Sequence, residues 1–367
     1  MKILADRNMA GVEARFGALG DVELFDGRQL SALHGADLLL VRSVTRVDAA
    51  LLGDHRPRFV GSATSGFDHV DREALHRLGV PFGYAPGSNA DSVVDYVLSV
   101  LCRCGRLDAV LDGAPVGIIG YGHIGRRLQQ RLARLGVNCR SYDPWFEVDS
   151  DPVLDSLEAV LDCPVVSVHA ALTRLEPWPS FHMLDASTLH RLPAGALLIN
   201  AGRGELIATG ELLSLGVQRP DLDLVLDVWE EEPDIDAGLL ARCRFGTAHI
   251  AGYSYDGKLR ATDMLYAQAC AVLDLAPAAG MAGLGLTPVE APALPRAELA
   301  CWLLEQVYDV REDDRLLRDA GPAGFDGLRK GYRERRELSS LRIANGADLD
   351  ADSRSLCEAL GCEVATC

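Results

Sequence analysis

The stretch Val116-Gly-Ile-Ile-Gly-Tyr-Gly-His-Ile-Gly125 joins an apolar strand to a helix through three glycines with the spacing GxGxxG. Gly120 permits the tight turn after the strand, and Gly122 lets the backbone come close to a bound phosphate. Gly125 lets the helix pack closely on the strand, and the helix start offers N–H donors and the positive end of its dipole. We therefore predict a βα unit that holds a dinucleotide pyrophosphate on Gly120, Gly122, His123, Ile124 and Gly125.

An acidic residue follows the next predicted strand, 138–142, at the place where such sites bind the ribose. Asp143 lies about 20 residues beyond the glycines, where a carboxylate accepts a hydrogen bond from the ribose 2′-hydroxyl and repels a 2′-phosphate. The sequence therefore predicts NAD rather than NADP as the cofactor. The alternative interpretation is a glycine turn in some other βα unit with a carboxylate that merely ends a strand; the order of strand, glycines, helix and acid favours the cofactor site.

Composition limits the classes of function that the chain can have. It has 367 residues, of which 48% are hydrophobic and 24% charged, enough for two or three domains with buried cores. Its 36 basic and 53 acidic residues give a net charge of −17, which argues against nucleic acid or an anionic membrane as a partner. The first residues lack the pattern of a signal peptide, and no apolar run approaches the ~18 residues of a membrane span, so we expect a cytoplasmic protein.

The ten cysteines are scattered between Cys102 and Cys367. They include no CxxC pair, and several lie inside apolar stretches, so we expect reduced and mostly buried thiols. Their spacings differ from those of zinc sites, and we expect no bound metal.

Three segments follow from the order of apolar runs. Short strands alternate with helical patterns over residues 1–90, which indicates parallel βαβ units, and residues 251–285 return as a helix to this segment. Residues 91–250 contain nearly continuous apolar runs, as in strands covered on both faces, and we predict a doubly wound, Rossmann-type sheet there. A proline-rich stretch, 277–295, reads as a linker, and residues 286–367 resume as a small α+β segment.

Three polar motifs follow apolar runs of the second segment, at the ends of strands where a ligand would lie. They contain Arg203, Glu232 and His249. Oxidation of a secondary alcohol needs a base for the hydroxyl proton, and an imidazole held by a carboxylate suits that task. An arginine can grip a substrate carboxylate with its planar fork. Taken singly, the histidine could be an ordinary loop residue and the acidic run a solvated surface; their order behind the glycine motif favours catalysis.

This ordered set resembles the D-isomer-specific 2-hydroxyacid dehydrogenase family, whose pattern is GxGxxG, N-x-x-R-G, D-V-x-x-x-E-P and a final histidine. The four motifs stand here at Gly120, Arg203, Glu232 and His249. The resemblance extends into the tail, through Val307-Tyr-Asp-Val-Arg311 and Leu328-Arg-Lys-Gly-Tyr332. It implies a flavodoxin-like substrate domain, an NAD domain, a C-terminal dimerisation domain and hence a homodimer acting on a small phosphorylated 2-hydroxy acid.

The resemblance also implies roles for individual residues. Arg203, Glu232 and His249 would be catalytic; Ser43, Thr64 and Tyr253 would contact substrate; and Asp143, Asp227 and Gly252 would contact NAD. The chain departs from the family pattern in three places. Ala170 and Ala171 replace a Thr-Pro pair, so Ala170 lies in the cofactor site without the usual threonine contact, and Ala248 replaces a proline before the histidine.

The substrate phosphate needs a local cationic site in this acidic chain. Arg42 and Ser43, at the end of an apolar strand, are the candidates, unless Arg42 merely pairs with a neighbouring acid. Lys258, Arg260 and the pair Arg329-Lys330 are alternatives. Two further readings of the whole chain stay open: another D-2-hydroxyacid dehydrogenase, such as one for 3-phosphoglycerate, and a non-enzymatic scaffold that senses NAD.

Overall fold

The computed structural model describes residues 1–27, 29–146, 154–280 and 285–366. Its strands are β1 Lys2–Asp6, β2 Asp21–Phe25, β3 Leu38–Val41, β4 Phe59–Ser62, β5 Phe82–Tyr84, β6 Val116–Ile119, β7 Cys139–Tyr142, β8 Val165–Val168, β9 Leu197–Asn200, β10 Asp223–Leu226, β11 Phe245–Gly246, β12 Thr287–Val289, β13 Leu341–Ile343 and β14 Glu363–Val364.

Its helices are α1 Val12–Phe16, α2 Ala49–Leu52, α3 Arg72–Arg77, α4 Ala90–Arg103, α5 Leu107–Leu111, α6 His123–Arg134, α7 Leu157–Leu161, α8 Ala186–Leu189, α9 Thr209–Gln218, α10 Ala237–Arg242, α11 Tyr255–Val272, α12 Arg296–Glu305, α13 Val310–Ala320, α14 Phe325–Lys330 and α15 Ala351–Leu360. Among the helices of these ranges, none combines the length and the apolar character needed to cross a membrane. The chain divides into two compact units, Met1–Asn89 with Ser254–Gly285, and Ala90–Tyr253 with Leu286–Cys367.

The first unit is built on a parallel sheet with the order β2-β1-β3-β4-β5. The strand β3 is buried along its whole length because helices cover both faces of the sheet. On one face the long helix α11 contributes Leu265, Tyr266 and Ala269 to the core. The alternating βαβ pattern is confirmed, and the order is that of flavodoxin-like sheets. The edge strand β2 was not predicted from the sequence. Its residues alternate between polar and apolar and are mostly exposed or only partly buried, so no continuous apolar run marks it.

The second unit contains a parallel sheet with the order β11-β10-β9-β8-β6-β7. The chain enters the sheet at β6, continues to the edge strand β7, and then crosses back to β8 on the other side of β6. This reversal opens a crevice beyond the carboxyl ends of β6 and β8, which is where doubly wound sheets bind ligands. The predicted Rossmann-type fold is confirmed.

The C-terminal part of this unit adds its own small parallel sheet, ordered β12-β13-β14. Its core is continuous with that of the six-stranded sheet. Leu299 and Leu303 of α12 pack in one cluster with Val97 and Leu101 of α4, and residues of the six-stranded sheet belong to the same cluster. The stretch 277–295, expected to be a linker, in fact contains β12; residues 281–284 of it lie outside the described part. An edge position tolerates Pro288, which has no N–H to donate to the ladder.

One cysteine pair corrects the expectation of reduced thiols. Cys102 of α4 and Cys301 of α12 form a disulfide, with their Cα atoms 5.6 Å apart. The two helices pack side by side, and a sequence separation of 199 residues concealed this proximity. The remaining described cysteines are free thiols, and Cys367 lies outside the described residues. Burial raises the pKa of Cys104, for example, to about 12, which leaves its thiol protonated and unreactive at neutral pH.

Candidate active site

The glycine motif forms an open cradle at the end of β6. Gly120 has a φ of 95°, and a side chain there would overlap the backbone of Ala170, which follows β8. A side chain at Gly125 would overlap the carbonyl oxygen of Gly120. At Gly122, by contrast, a Cβ atom would meet no heavy atom within 4 Å, and α6 begins at the next residue, His123. The loop thus leaves space beside a helix N-terminus, as a bound pyrophosphate requires.

Asp143 faces this loop from the end of β7. Its Oδ2 accepts a hydrogen bond from the N–H of Tyr121 at 2.8 Å, and its Oδ1 accepts one from the N–H of Trp145 at 3.0 Å. An ionised carboxylate has about four acceptor positions, so it can still accept from a ribose hydroxyl. The cradle and the carboxylate therefore fit a dinucleotide with an unmodified 2′-hydroxyl.

The sequence-predicted acid–base pair is formed. Nδ1 of His249 lies 2.7 Å from Oε2 of Glu232, and Oε1 of Glu232 accepts from the Trp229 N–H at 2.9 Å. The side chains of His249 and Glu232 are 31% and 19% exposed, so the pair lies partly sheltered from water. With Nδ1 held by the carboxylate, Nε2 is the ring nitrogen that can exchange a proton with a substrate.

The environment keeps the carboxylate of this pair charged. Burial alone raises the pKa of Glu232, but the hydrogen bond and charge of His249, the Trp229 N–H and the charge of Arg329 together lower it below its usual range. An ionised Glu232 can stabilise the imidazolium that forms when His249 takes up a proton. The pair is therefore suited to general acid–base catalysis.

Asp227 shapes the loop that carries the histidine. Its buried carboxylate accepts from Thr247 Oγ1 at 2.7 Å, from the Ile250 N–H at 2.8 Å and from the Ala251 N–H at 3.0 Å. Burial raises the pKa of this carboxyl, against the opposing influence of His249 and these donors. The carboxylate thus anchors the turn before Gly252, whereas its expected contact with NAD stays a prediction.

The backbone of His249 itself is unusual. Its φ is 53°, in the left-handed region that a non-glycine residue rarely adopts, while its N–H donates to the carbonyl oxygen of Asp227 at 2.7 Å. Such a conformation persists only where the surroundings determine it. Here Asp227 holds both sides of the turn, and that aims the imidazole at Glu232.

The loop with Arg203 packs on the same region. Asn200, the last residue of β9, closes the loop through bonds to the Arg203 carbonyl oxygen and the Gly202 N–H, at 3.0 and 3.1 Å. A side chain at Gly204 would overlap the backbone of Trp229, which places this loop directly against the one that carries Glu232. The structure therefore joins Glu232 to His249 and packs the backbone of the Arg203 loop against the Glu232 loop, while the catalytic roles of the three residues stay predictions.

The other predicted substrate residues lie in the two units separately. Arg42 and Ser43 follow β3, and Thr64 follows the neighbouring strand β4, so all three lie at the same edge of the first unit's sheet. Oγ1 of Thr64 donates to the Gly66 carbonyl oxygen and shares a 2.6 Å contact with Ser62 Oγ. Of the alternatives for the phosphate, Lys258 and Arg260 lie on α11 of this unit.

Tyr253, in the second unit, follows Gly252 in the histidine loop. Its hydroxyl oxygen accepts from Nη2 of Arg329 at 3.4 Å, and its ring meets the Tyr332 ring edge to face at 5.6 Å. Sequence reasoning named Arg329 only as an alternative for the phosphate and missed its neighbourhood with the acid–base pair. It also missed the supporting roles of Asn200, Thr247 and Trp229, for which no motif spacing gives a signal.

Comparisons with known proteins agree with these observations. The family described as "D-isomer specific 2-hydroxyacid dehydrogenase, NAD binding domain" matches residues 105–251, and one described as "Domain of unknown function (DUF3410)" matches residues 290–361. The chain is 42% identical to erythronate-4-phosphate dehydrogenase of Cellvibrio japonicus over 96% of this chain and 97% of that one. It is 43% identical to the enzyme of that name from Sodalis glossinidius, with the same coverage.

Solved structures share the fold. The 3-phosphoglycerate dehydrogenase of Entamoeba histolytica with bound NAD matches 75% of this chain and 95% of its own, with a TM-score of 0.62 and 20% identity. D-lactate dehydrogenase of Aquifex aeolicus, in complex with NAD and lactic acid, matches 75% and 96%, with a TM-score of 0.58 and 20% identity.

Proposed function

The chain belongs to the D-isomer-specific 2-hydroxyacid dehydrogenase family, and we propose that it oxidises 4-phospho-D-erythronate at C2 with NAD, in the biosynthesis of pyridoxal 5′-phosphate (vitamin B6). The products are (3R)-3-hydroxy-2-oxo-4-phosphobutanoate, NADH and a proton. The observation that carries this proposal is the likeness to erythronate-4-phosphate dehydrogenases over nearly the whole chain, including the C-terminal segment. The 2.7 Å pair of His249 and Glu232 supplies the matching chemistry.

The acid–base pair moves the hydroxyl proton. Nε2 of His249 accepts the proton of the C2 hydroxyl as the C2–H bond breaks, and Glu232 stabilises the imidazolium that results. Bound NAD supplies the acceptor for the hydride from C2. In the reverse direction the imidazolium returns its proton to the C2 oxygen.

Arg203 is proposed to bind the substrate and to orient its C2 atom for the reaction. Its guanidinium presents paired donors that suit the C1 carboxylate and the oxygen on C2. The residues Asn200 and Gly204 support it, since they fix its loop against the loop that carries Glu232. Positioning of this kind converts a reaction of separate partners into one within a complex.

The residues proposed to bind the phosphate are Arg42 and Ser43, with Thr64 beside them. They lie at the carboxyl edge of the sheet in the first unit, the edge at which parallel sheets bind ligands. Tyr253 is proposed as a further substrate contact. These assignments come from the family resemblance and from the local charge that the phosphate needs.

A homodimer in the cytoplasm completes the proposal. It is supported by the likeness of the tail to relatives in which we expect a dimerisation domain. Removing the C-terminal segment after Ala293 would not test the dimer cleanly, because Leu299 and Leu303 pack in one core with α4 and their loss would destabilise the rest of the unit. Sedimentation of the full chain is the appropriate measurement, and a species with the 39.5 kDa mass of one chain at micromolar concentration would contradict the dimer.

A substrate panel tests the reaction. The full-length chain is mixed with NAD and with 4-phospho-D-erythronate, D-erythronate or 3-phosphoglycerate, and NADH is followed both in a single turnover and in the steady state. We expect NADH from the first substrate at a kcat/KM well above that of the others. A preference for 3-phosphoglycerate would overturn the substrate, and no NADH from any of them would favour the scaffold.

The variant His249→Asn tests the proposed base in the same assay. We expect a loss of about 10²- to 10⁴-fold in turnover with nearly unchanged affinity for NAD. Retention of more than about a tenth of the wild-type rate would remove His249 from the mechanism.

A further inference from the structure

The C-terminal segment places an arginine beside the acid–base pair. Arg329 lies on α14, within the residues that match the domain of unknown function, and its side chain is 25% exposed. Nη1 of Arg329 lies 4.0 Å from Oε2 of Glu232, and its Nη2 donates to the Tyr253 hydroxyl at 3.4 Å. Oε2 is the same oxygen that pairs with His249 Nδ1 at 2.7 Å. One carboxylate oxygen thus faces both the imidazole and the guanidinium.

The helix that carries Arg329 is firmly anchored. Phe325, the first residue of this helix, is fully buried in a core that residues of β8, β9 and β10 share. Tyr332, just beyond the helix, packs against Tyr253 and donates its hydroxyl hydrogen to Asp313 Oδ2 at 2.8 Å. These contacts hold the backbone of α14 in place, and the bond to the Tyr253 hydroxyl directs the guanidinium toward Glu232.

The charged and titratable groups around the imidazole come from several loops and from α14. The Glu232 and Asp227 carboxylates act on the ring directly, and Arg329 of α14 acts on both carboxylates and on Tyr253. Arg203 lies on the loop that packs against the one carrying Glu232. Arg329 approaches Glu232 from the C-terminal segment, whereas Trp229 and His249 reach it from the NAD-binding domain. A cation there favours the ionised carboxylate and opposes a second positive charge on the ring.

We propose that Arg329 is a positioning residue, through which the C-terminal segment completes the catalytic site of its own chain. Its guanidinium holds the Glu232 carboxylate and the Tyr253 hydroxyl in place, and so sets the pH at which His249 accepts the substrate proton. This inference builds on the proposed dehydrogenase function. It assigns a catalytic task to a segment whose matching family has none in its description.

Two substitutions at this position and one elsewhere test the proposal. Arg329→Met removes the charge at similar volume, and Arg329→Lys keeps the charge but loses the planar fork. Arg315→Met is the matched control, since it removes one cation from α13 of the same segment, where Arg315 pairs with Asp319 on an exposed surface. Thermal unfolding shows which variants retain the wild-type fold; Arg329→Gln replaces Arg329→Met if the latter unfolds early.

The first readout is the pH dependence of kcat/KM for oxidation. In Arg329→Met the acidic limb is expected to move upward by about 0.5–1 pH unit, because the imidazolium loses a repelling neighbour at the edge of solvent. Arg329→Lys should keep the limb close to the wild-type position, with a raised KM from a looser Tyr253. Arg315→Met should match the wild type in both quantities. An unmoved limb in Arg329→Met would overturn the proposal.

The second readout needs no turnover. The ring proton signals of His249 are followed by NMR against pH, with His249→Asn to assign them. The midpoint is expected to rise by the same 0.5–1 unit in Arg329→Met and to stay in Arg315→Met. If the wild type oxidises no 2-hydroxy acid but the midpoint moves, the proposed function fails, while the inferred action of Arg329 on the Glu232–His249 pair stands. Equal midpoints for His249 in the wild type and in Arg329→Met would refute the role of Arg329, whatever the activity of the protein.

Discussion

Replacing Gly122 by alanine should weaken NAD binding without disturbing the protein that lacks NAD. A methyl group at Gly122 meets no protein atom within 4 Å, and the φ of −74° and ψ of −159° are open to alanine. Alanine is a poorer helix N-cap than glycine, a loss of about 0.5–1 kcal/mol. It also restricts the unfolded chain, a gain of about 0.4–1 kcal/mol. The two effects nearly cancel, so the free energy of unfolding should hardly change.

The cofactor would meet the methyl group. The methyl group that Gly122→Ala adds would lie on the open side of the loop, where a pyrophosphate must approach the backbone N–H groups at the start of α6. Loss of one hydrogen bond to a charged phosphate costs about 1.5–3 kcal/mol. Since about 1.4 kcal/mol is a factor of ten, the Kd for NAD should rise about 10- to 150-fold.

Calorimetric titration with NAD and thermal unfolding without it measure the two quantities. Gly210→Ala is the matched control, because a Cβ at Gly210 is equally free and lies on α9, away from the motif. Gly120→Ala is the contrasting variant, which should unfold early because its side chain overlaps the Ala170 backbone. A wild-type Kd for NAD in Gly122→Ala would show that the loop is an ordinary βα turn and not a pyrophosphate site.

Three further predictions concern charges. Glu232→Gln should lower kcat by about 10-fold or more and move the acidic limb of its pH profile downward, because a neutral amide stabilises the imidazolium less; an unmoved limb would mean that the two side chains do not cooperate. Asp143→Ala should raise the kcat/KM ratio of NADP to NAD by about 10-fold, and an unchanged ratio would remove Asp143 from cofactor choice. Burial, opposed by Arg131, raises the pKa of Asp95 to about 7 from 3.8. A carboxyl whose pKa is higher in the folded state stabilises the fold fully below its unfolded-state pKa, and this contribution is lost as the pH rises through its folded-state pKa. Asp95→Asn should therefore lose less free energy of unfolding than the wild type between about pH 5 and pH 8. Equal losses, measured by urea titration, would refute this.

Much of the site could be predicted because its signals are local. The glycine spacing, the acid after the next strand and the three motifs behind apolar runs each describe a strand end, and parallel strands bring their carboxyl ends to one edge. For that reason Glu232 and His249 were expected together and are found in contact, and the loop that carries Arg203 lies against the loop that carries Glu232. The parallel sheets were equally predictable, since continuous apolar runs indicate strands buried on both faces.

Asp227 shows where local reasoning ends. The family resemblance implies that Asp227 contacts the cofactor, which stays a prediction; the structure adds that its oxygens accept bonds from the histidine loop. The motif predicts that Asp227 follows a strand, but its hydrogen-bond partners depend on the conformation of the loop that carries His249. Similarly, the proline-rich stretch predicts a linker, while pairing with β13 makes part of it an edge strand.

The amino-acid sequence by itself determined the two parallel sheets, the glycine loop after β6 and the order of the residues proposed as catalytic, because periodicity and motif spacing act over one strand, turn and helix. The tertiary structure alone decided that Cys102 meets Cys301, that α12 of the C-terminal segment shares its core with α4, and that Arg329 lies beside Glu232. These pairs are distant in sequence, and no local preference encodes them. They arise because burying the apolar faces of separate elements in one core brings whatever those elements carry into contact.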